Sequence, residues 1–474
     1  MDKRSELIKE LTESRRAAFL ALGVHTRLPG FIHRSRQVRK RMPFSDATSA
    51  RTLLNAFLLH AANRAPFYEQ ALRKRGFDPA SPPPLGHWPV LGKSDLRSSF
   101  ADLIARERGE SYVCSGTLVL TRTSGSTGNT VSHLKEERRE FLYDTVALNR
   151  ILHQYGIPRR GEMLDLGLHH RMHPVVDLYM QPPSAYVAWN FSPFQAEHTG
   201  DEAGTFVDQA RAILHVARPT WIWGIPSRIV QLAHLARQEN LTIRPRAVVA
   251  SYEPLVPADR KLIGEVFACP VFSVYGSSET GQAAWECPRG SFHFPPDNVI
   301  AEVVDAQDQP CPPGESGRLL LTGLHWRTMP LVRYDVGDIA AAQDHCACGS
   351  DAPSIRRLEG RQASLIATHR GGRRSAYSIL NIIDNLGLGQ YQVVQDELGS
   401  LRLILSPGVA LDAGQLAGLQ REVERYLEEP CTLTVDHSGD FMLMPSGKKN
   451  PVVALDTHGG AADASTITSF GERR

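Results

Sequence analysis

Hydrophobic positions divide the chain into segments of different period. Across residues 1–80 the spacing is helical, and Leu53, Leu54, Phe57, Leu58 and Leu59 mark an apolar stripe. Pro79, Pro82, Pro83, Pro84 and Pro89 then impose an extended connector, because proline removes a backbone donor and disfavours helix just before it. From Tyr112 onward, short apolar runs alternate with longer runs at helical spacing. Tyr112–Thr121, Glu162–Leu168, Ala247–Ala250 and Val271–Tyr275 read as strands, and Thr205–Val216 and Ser227–Arg237 as helices. That rhythm predicts α/β layers with mixed sheets.

Residues 299–343 are denser in strands, with Ile300–Val304 and Arg318–Thr322 on either side of the turn Pro312-Pro313-Gly314. After Gly360 the pattern restarts. Tyr391–Gln395, Leu401–Leu405 and Cys431–Val435 read as strands, with helices at Ala413–Leu427 and near Ala376–Leu386. A chain of 474 residues exceeds what one growing core organises. The expectation is a large multi-layer N-terminal α/β domain, residues 1–360, and a small α+β C-terminal domain, residues 361–474.

Composition narrows the class. With 42% hydrophobic and 22% charged residues the chain reads as globular, and 53 basic against 51 acidic residues give no case for nucleic-acid binding. The cluster Arg34-Ser35-Arg36…Arg39-Lys40-Arg41 is short and reads as a solvated face. No run approaches the 18 or so apolar residues of a membrane span, so no membrane partner is expected. Met1-Asp2-Lys3-Arg4-Ser5-Glu6 has no apolar core behind it, and the seven cysteines are an odd set; together they point to a reducing, cytoplasmic compartment.

Four separated segments carry chemistry. The first, Thr121-Arg122-Thr123-Ser124-Gly125-Ser126-Thr127-Gly128-Asn129-Thr130, combines glycines that expose backbone N–H groups with hydroxyl donors, and can wrap a polyphosphate or form a plain surface loop. It lacks the Walker spacing. The second is Tyr275-Gly276-Ser277-Ser278-Glu279, where a strand runs into a small-residue turn. A carboxylate past a strand end suits Mg²⁺, a hard oxygen-seeking ion, and Tyr275 could stack on a base; alternatively Glu279 sits in the first turn of a helix. The third is Arg333-Tyr334-Asp335-Val336-Gly337-Asp338, where a carboxylate at a turn can accept ribose hydroxyls or simply serve the turn. The fourth, Ser446-Gly447-Lys448-Lys449, offers a lysine on a glycine turn to a reacting phosphate or carboxylate, or only to solvent.

In order and context these segments resemble the adenylate-forming enzymes, in their phenylacetate–coenzyme A ligase branch. Thr123-Ser124-Gly125-Ser126-Thr127-Gly128 is similar to that family's phosphate loop, and Tyr275-Gly276-Ser277-Ser278-Glu279 to its Tyr-Gly-x-Thr/Ser-Glu element. Val332-Arg333-Tyr334-Asp335-Val336-Gly337-Asp338 is similar to its Arg-Tyr-x-x-Gly-Asp element. Ser251-Tyr252-Glu253-Pro254 resembles the Gly-Ala-Glu-Pro loop beside adenine, with its first two residues changed. Pro66-Phe67-Tyr68, Gly76-Phe77-Asp78 and Pro89-Val90-Leu91-Gly92-Lys93-Ser94-Asp95-Leu96 match the branch's N-terminal pattern.

The resemblance implies a two-step reaction. A carboxylate attacks the α-phosphate of ATP and releases pyrophosphate; a second nucleophile, usually the thiol of coenzyme A, then displaces AMP. It further implies an adenylation domain at 1–360 and a mobile lysine-bearing domain at 361–474. Glu279 would hold Mg²⁺, Asp338 the ribose, Tyr275 the adenine face, Arg361 the inter-domain hinge, and Lys448 or its neighbour Lys449 the adenylation chemistry.

Cysteine spacing adds a separate site. Cys287 and His293, with Cys346 and Cys348, make a Cys₃His set, the closed coordination of structural Zn²⁺, with His345 as competing ligand and metal-free packing as the alternative. The same Glu-Cys…Gly-x-His and Cys-x-Cys-Gly elements occur in the branch just named. Cys114, Cys269, Cys311 and Cys431 show no such arrangement, and Cys269 and Cys431 are expected to be buried or neutral. His169, His170 and His173 are candidates for an acid pocket, as is an aromatic wall at Trp221 and Trp223.

Two departures divide the functional readings. Asn129-Thr130 stand where the branch has Lys-Pro, and Ala363-Ser364 replace the acidic pair of the hinge. Three classes follow: a coenzyme A ligase for an aromatic or small hydrophobic acid, an adenylating ligase passing the acyl group to an amine or a carrier-protein thiol, and a catalytically weakened binding protein. A homodimer is a possible assembly.

Overall fold

Four helices open the chain, as the spacing predicts: α1 (Lys3–His25), α2 (Pro29–Arg41), α3 (Ala47–Arg64) and α4 (Pro66–Lys74). The computed structural model describes residues 3–43, 46–106, 118–122, 131–167, 175–190, 204–361, 365–369, 373–384, 386, 388, 391–442 and 452–455. Pro29 and Pro66 each occupy a first helical turn, where no amide donor is needed. Asp46 caps α3 by accepting from the Ser49 amide at 2.7 Å. Phe57 and Leu58 of the expected stripe are buried, whereas Leu59 faces solvent. A short helix, α5 (Lys93–Ser98), follows the proline-rich connector, and the Asp95 carboxylate accepts from the Gly92 amide before it.

A hairpin of β1 (Leu118–Arg122) and β2 (Ser132–Glu136) leads into α6 (Glu137–Gln154). Next come β3 (Arg160–Leu166), β4 (Val176–Gln181), β5 (Ser184–Asn190), α7 (Gly204–Val216), β6 (Trp221–Gly224), α8 (Pro226–Gln238), β7 (Ala247–Ala250), α9 (Pro257–Phe267) and β8 (Val271–Ser277). The antiparallel run is β9 (Gly281–Glu286), β10 (Phe292–His293), β11 (Val299–Val304), β12 (Ser316–Gly323), β13 (Tyr334–Ala342) and β14 (Ser354–Arg361). Strands β3 to β14 form one twelve-stranded mixed sheet in the order β11-β12-β13-β14-β10-β9-β8-β7-β6-β3-β5-β4.

Five neighbours, β5, β3, β6, β7 and β8, are parallel. Helices cover such strands on both faces, so they read as unbroken apolar runs; all four residues of β7 are buried. On one face α7, α8 and α9 pack through Ile213, Ile229, Ala233, Ile263 and Phe267; on the other α6 packs through Leu148, Ile151 and Leu152. Each such apolar side chain contributes about 1.5–3 kcal/mol when fully buried. α3 and α4 cover the antiparallel half, with Phe57, Tyr68 and Leu72 against Leu319, Leu321 and Tyr334.

Buried charges fasten the N-terminal helices. Glu162 on β3 accepts from Arg15 of α1 (Nη2 to Oε1, 2.5 Å), from the Trp189 indole at 2.8 Å and from the Arg218 amide at 3.1 Å. Arg150 on α6 pairs with Asp297 at 2.7 Å and donates to the carbonyls of Arg41, Met42 and Pro43.

The remaining elements are β15 (Leu365–Ala367), β16 (Arg373–Ser375), α10 (Ala376–Asp384), β17 (Tyr391–Glu397), β18 (Ser400–Leu405), α11 (Ala413–Leu427), β19 (Thr432–Asp436) and β20 (Val452–Val453). β19-β18-β17-β20 form a separate sheet whose core comes from Leu401, Leu403, Leu419, Val423 and Leu433. The expected mixed α/β architecture is thus observed. No helix among the described residues is long and apolar enough to cross a membrane.

Candidate active site and cysteine-histidine cluster

The carboxyl ends of parallel strands are where open α/β sheets bind ligands, and the loop at Ser251–Pro254 and one of the four chemistry-bearing segments, Tyr275–Glu279, stand there. Ser251-Tyr252-Glu253-Pro254 leaves the end of β7. Ser251 is buried, and its amide donates to the Gly224 carbonyl at 2.9 Å, tying this loop to β6. Tyr252 holds a left-handed φ of +75°, rare for a bulky residue, and its ring meets the Trp223 edge at 6.2 Å. Trp223 and Trp221 both lie in the core, and Trp221 is fully buried against Tyr186. Of the expected aromatic wall, Trp223 reaches Tyr252 and Trp221 fills the core.

Tyr275-Gly276-Ser277-Ser278-Glu279 ends β8, with a bulge at Tyr275/Gly276. A Cβ on Gly276 would lie 2.5 Å from the Gly281 carbonyl oxygen, so the turn closes only with glycine there. Ser277 Oγ accepts from the Thr280 amide at 3.1 Å, and the His133 ring of β2 contacts the Ser278 carbonyl at 2.8 Å. Glu279 is therefore in a turn leading to β9 rather than in the first turn of a helix.

The two carboxylates are held by an exchange of tyrosines. Tyr334 of β13 donates its hydroxyl to Glu279 Oε1 at 2.7 Å. Tyr275 of β8 donates to Asp338 Oδ2, also on β13, at 2.6 Å. β8 and β13 are not neighbours in the sheet, so these bonds bridge the parallel and antiparallel halves. Glu279 is only 6% exposed, and its Oε2 receives a longer contact from Ser278 Oγ at 3.4 Å. Asp338 is half-buried, with Arg361 of β14 as its register partner. A left-handed φ of +83° at Gly337 turns the chain beneath Lys93, whose amino nitrogen lies 3.1 Å from where a Cβ would stand.

Arg333 has a different position. Its guanidinium is buried, pairs with Glu302 at 3.2 Å and donates to the carbonyls of Gly86, Trp88 and Asp308, fastening the proline-rich connector to the sheet. Burial pushes the Glu302 carboxyl up, and Arg333 works against that shift.

The sulfur and imidazole ligands converge. The ligand atoms of Cys287, His293, Cys346 and Cys348 all lie within 4.8 Å of one another. Cys287 Sγ is 3.6 Å from Cys346 Sγ, and Cys348 Sγ is 3.3 Å from His293 Nε2. Turns after Cys287 and Cys346 place these groups: the Gly290 amide donates to the Cys287 carbonyl and the Gly349 amide to that of Cys346. His293 Nδ1 faces the Ala352 carbonyl at 3.1 Å, which directs Nε2 toward the thiols, and Trp285 stacks on the ring. Burial raises the Cys287 thiol to about 11; for Cys346, burial is outweighed by hydrogen bonds from Ser291, Cys348 and His293, which lower it to about 6. His345 is exposed and outside the group.

The family described as AMP-binding enzyme matches residues 199–327. The phenylacetate-coenzyme A ligase of Thermus thermophilus is 27% identical over 337 residues, 66% of this chain and 69% of that protein. Protein CapK of Staphylococcus aureus is 21% identical over 332 residues, 67% and 68% of the two chains. A 2-hydroxyisobutyryl-CoA ligase in its postadenylation state with 2-HIB-AMP superposes with a TM-score of 0.67 at 21% identity, over 88% of this chain and 92% of that one. The chain is thus similar to adenylate-forming enzymes, in sequence over part of its length and in fold over most of it. The same ligase in its thioesterification state, with 2-HIB-AMP and CoA, gives 0.53 at 20% identity over 88% and 91%.

Several expected site residues lie outside the described structure: Thr123 to Gly128, His169, His170, His173, Ala363, Ser364 and Lys448. Sequence reasoning gave no role to Tyr334 or His133, because nothing in their local spacing points to partners so distant in the chain. Lys135 also went unnoticed. It is buried on β2 two residues from His133, with its amino group 5.3 Å from the Trp326 ring centre.

Proposed function

We propose that this chain activates a carboxylic acid with ATP through an acyl-adenylate and transfers the acyl group to coenzyme A, and that the acid is aromatic or small and hydrophobic. The observation that carries the reading is the placement of Glu279 and Asp338 by Tyr334 and Tyr275, beside the carboxyl ends of the parallel strands. The likeness to acid–coenzyme A ligases supports it.

In this reading residues 1–360 form the adenylation domain and residues 361–474 a small mobile domain carrying Lys448. Residues Thr123, Ser124, Gly125, Ser126, Thr127 and Gly128 cradle the phosphates, and Ser251 to Pro254 with Tyr275 flank the adenine. Asp338 accepts the ribose hydroxyls and Arg361 stands at the hinge. Glu279 supplies an anionic oxygen suited to Mg²⁺, which when bound offsets phosphate charge. The substrate carboxylate oxygen attacks the α-phosphorus, and the bond to pyrophosphate breaks. Lys448 supplies positive charge to the two anions that meet there. The thiol sulfur of coenzyme A then attacks the carbonyl carbon, its proton passes to solvent, and AMP leaves with the bonding electrons. The Cys₃His set fits a structural zinc ion: four ligands in reach of one another, a directed imidazole and no position left for substrate.

A second reading keeps adenylation and changes the acceptor to an amine or a carrier-protein thiol. It rests on Asn129 and on Ala363-Ser364, where the branch carries a lysine and an acidic pair. Retention of Glu279, Asp338 and Lys448 weighs against a binding protein without catalysis. A library of acids screened for pyrophosphate release tests the first half-reaction. Coenzyme A-dependent AMP release with the best acid supports the first reading, and an acyl amide formed from added amines supports the second. An absence of pyrophosphate release with every acid would overturn both.

A further inference from the structure

The α1–α2 hairpin has two faces. Leu22, Phe31 and Val38 are buried, and Leu22 and Phe31 pack with Ala185 and Val187 of β5. Beside that buried face stand Phe19, Leu20, Val24, Leu28 and Ile32, five of the ten large apolar side chains exposed among the described residues. They gather where the chain reverses, through a turn in which the Leu28 amide bonds to the His25 carbonyl and the Ile32 amide to the Leu28 carbonyl.

The same layout appears on both helices. Residues four apart lie on one helical face. Leu20 and Val24 therefore share a face with Arg16, one and two turns behind them, and Ile32 shares one with Arg36. Val24 to Pro43 contains six basic residues, Arg27, Arg34, Arg36, Arg39, Lys40 and Arg41, and no acidic one. Those six and Arg16 are exposed. An apolar tip backed by guanidinium groups one turn away matches the layering of acyl chains beneath phosphate headgroups.

We propose that this tip docks on an anionic lipid surface. The placement argues against an acceptor protein. Leu11, early in α1, packs in the cluster of Leu164 and Trp189, near the carboxyl ends of β3 and β5, whereas Leu22 packs against Ala185 at the amino end of β5. The tip thus lies toward the opposite end of the strands from the edge that carries the chemistry. The excess of cations likewise disfavours a second copy of this chain, since self-pairing would oppose like charges. The sequence alone reads the basic run as a solvated face; the structure adds the exposed apolar cluster beside it.

The test is cosedimentation of the full chain with phosphatidylcholine vesicles, with and without phosphatidylglycerol, together with light scattering in the absence of lipid. Wild type is expected to bind only the anionic vesicles and to release in high salt. Leu20→Ser/Ile32→Ser and Arg16→Ala/Arg36→Ala are each expected to weaken binding, the latter roughly 10- to 30-fold for two interfacial cations. All four positions are surface ones, and pyrophosphate release by either variant should match wild type, which also reports folding. No binding to anionic vesicles, or equal binding by wild type and both variants, would overturn the proposal. So would a wild-type dimer that Leu20→Ser/Ile32→Ser converts to a monomer, or an acidic protein partner retained by the tip in lysate while vesicles are not.

Discussion

Replacing Tyr334 with Phe removes one oxygen from the centre of the candidate site and leaves its packing intact. The ring is fully buried, so the isosteric change opens no sizeable cavity. The lost bond is 2.7 Å long and ends on a carboxylate that is 6% exposed, with Ser278 Oγ at 3.4 Å its other close contact. A hydrogen bond to a charged group contributes about 1.5–3 kcal/mol, and the unpaired oxygen remains buried. At about 1.4 kcal/mol per decade, that is roughly 10- to 150-fold in kcat/KM for adenylation if the bond holds Glu279 in its working position. Tyr275→Phe is the internal control: its partner Asp338 is more open to water, so a loss of only about 0.5–1.5 kcal/mol is expected. The assay is acid-dependent pyrophosphate release at varied Mg²⁺ and ATP, beside chemical unfolding of the same variants. Tyr334→Phe within twofold of wild type in kcat/KM, and within about 0.5 kcal/mol in stability, would refute the reasoning.

Further outcomes follow from other contacts. Arg333→Met leaves Glu302 and three carbonyls without their buried partner, and stability should fall by about 3–5 kcal/mol, measured by urea unfolding. Purified chain should carry one equivalent of zinc by elemental analysis; Cys346→Ala should lose it and melt earlier while adenylation chemistry in the surviving folded fraction persists. Burial holds Cys269 and Cys431 at about 11, so at pH 8 their alkylation in the folded chain should be about a hundredfold slower than in urea. Lys448→Ala should abolish or greatly slow adenylation, and an unchanged rate would move that role to Lys449.

Three of the five parallel strands, β3, β7 and β8, were legible because burial on both faces makes such strands short, mainly apolar runs; Ala247–Ala250 was read with its observed bounds, and β6 was not read as a strand. Nor was the β4–β5 hairpin legible. Pro182-Pro183 reads as a breaker, and Asp177, Tyr179 and Gln181 interrupt the apolar pattern of an edge strand. Glu279 and Asp338 stood out because turn residues frame them, and so did the cysteine and histidine spacing. The tyrosine exchange did not, since its bonds join residues 55 and 63 positions apart across strands that are not neighbours. The exposed tip at Phe19–Ile32 was hidden for another reason: helical spacing identifies apolar stripes, and which stripe is buried depends on the sheet it meets.

Direct detection of the acyl-adenylate by mass spectrometry tests the central claim most closely. The chain incubated with ATP, Mg²⁺ and the best acid from the screen, with coenzyme A and amines withheld, should accumulate acyl-AMP in near-stoichiometric amount. Glu279→Gln should reduce it at least tenfold, in line with the loss of a charged ligand group. A coenzyme A thioester or amide formed with no acyl-AMP detected, or full acyl-AMP formation by Glu279→Gln, would contradict the account.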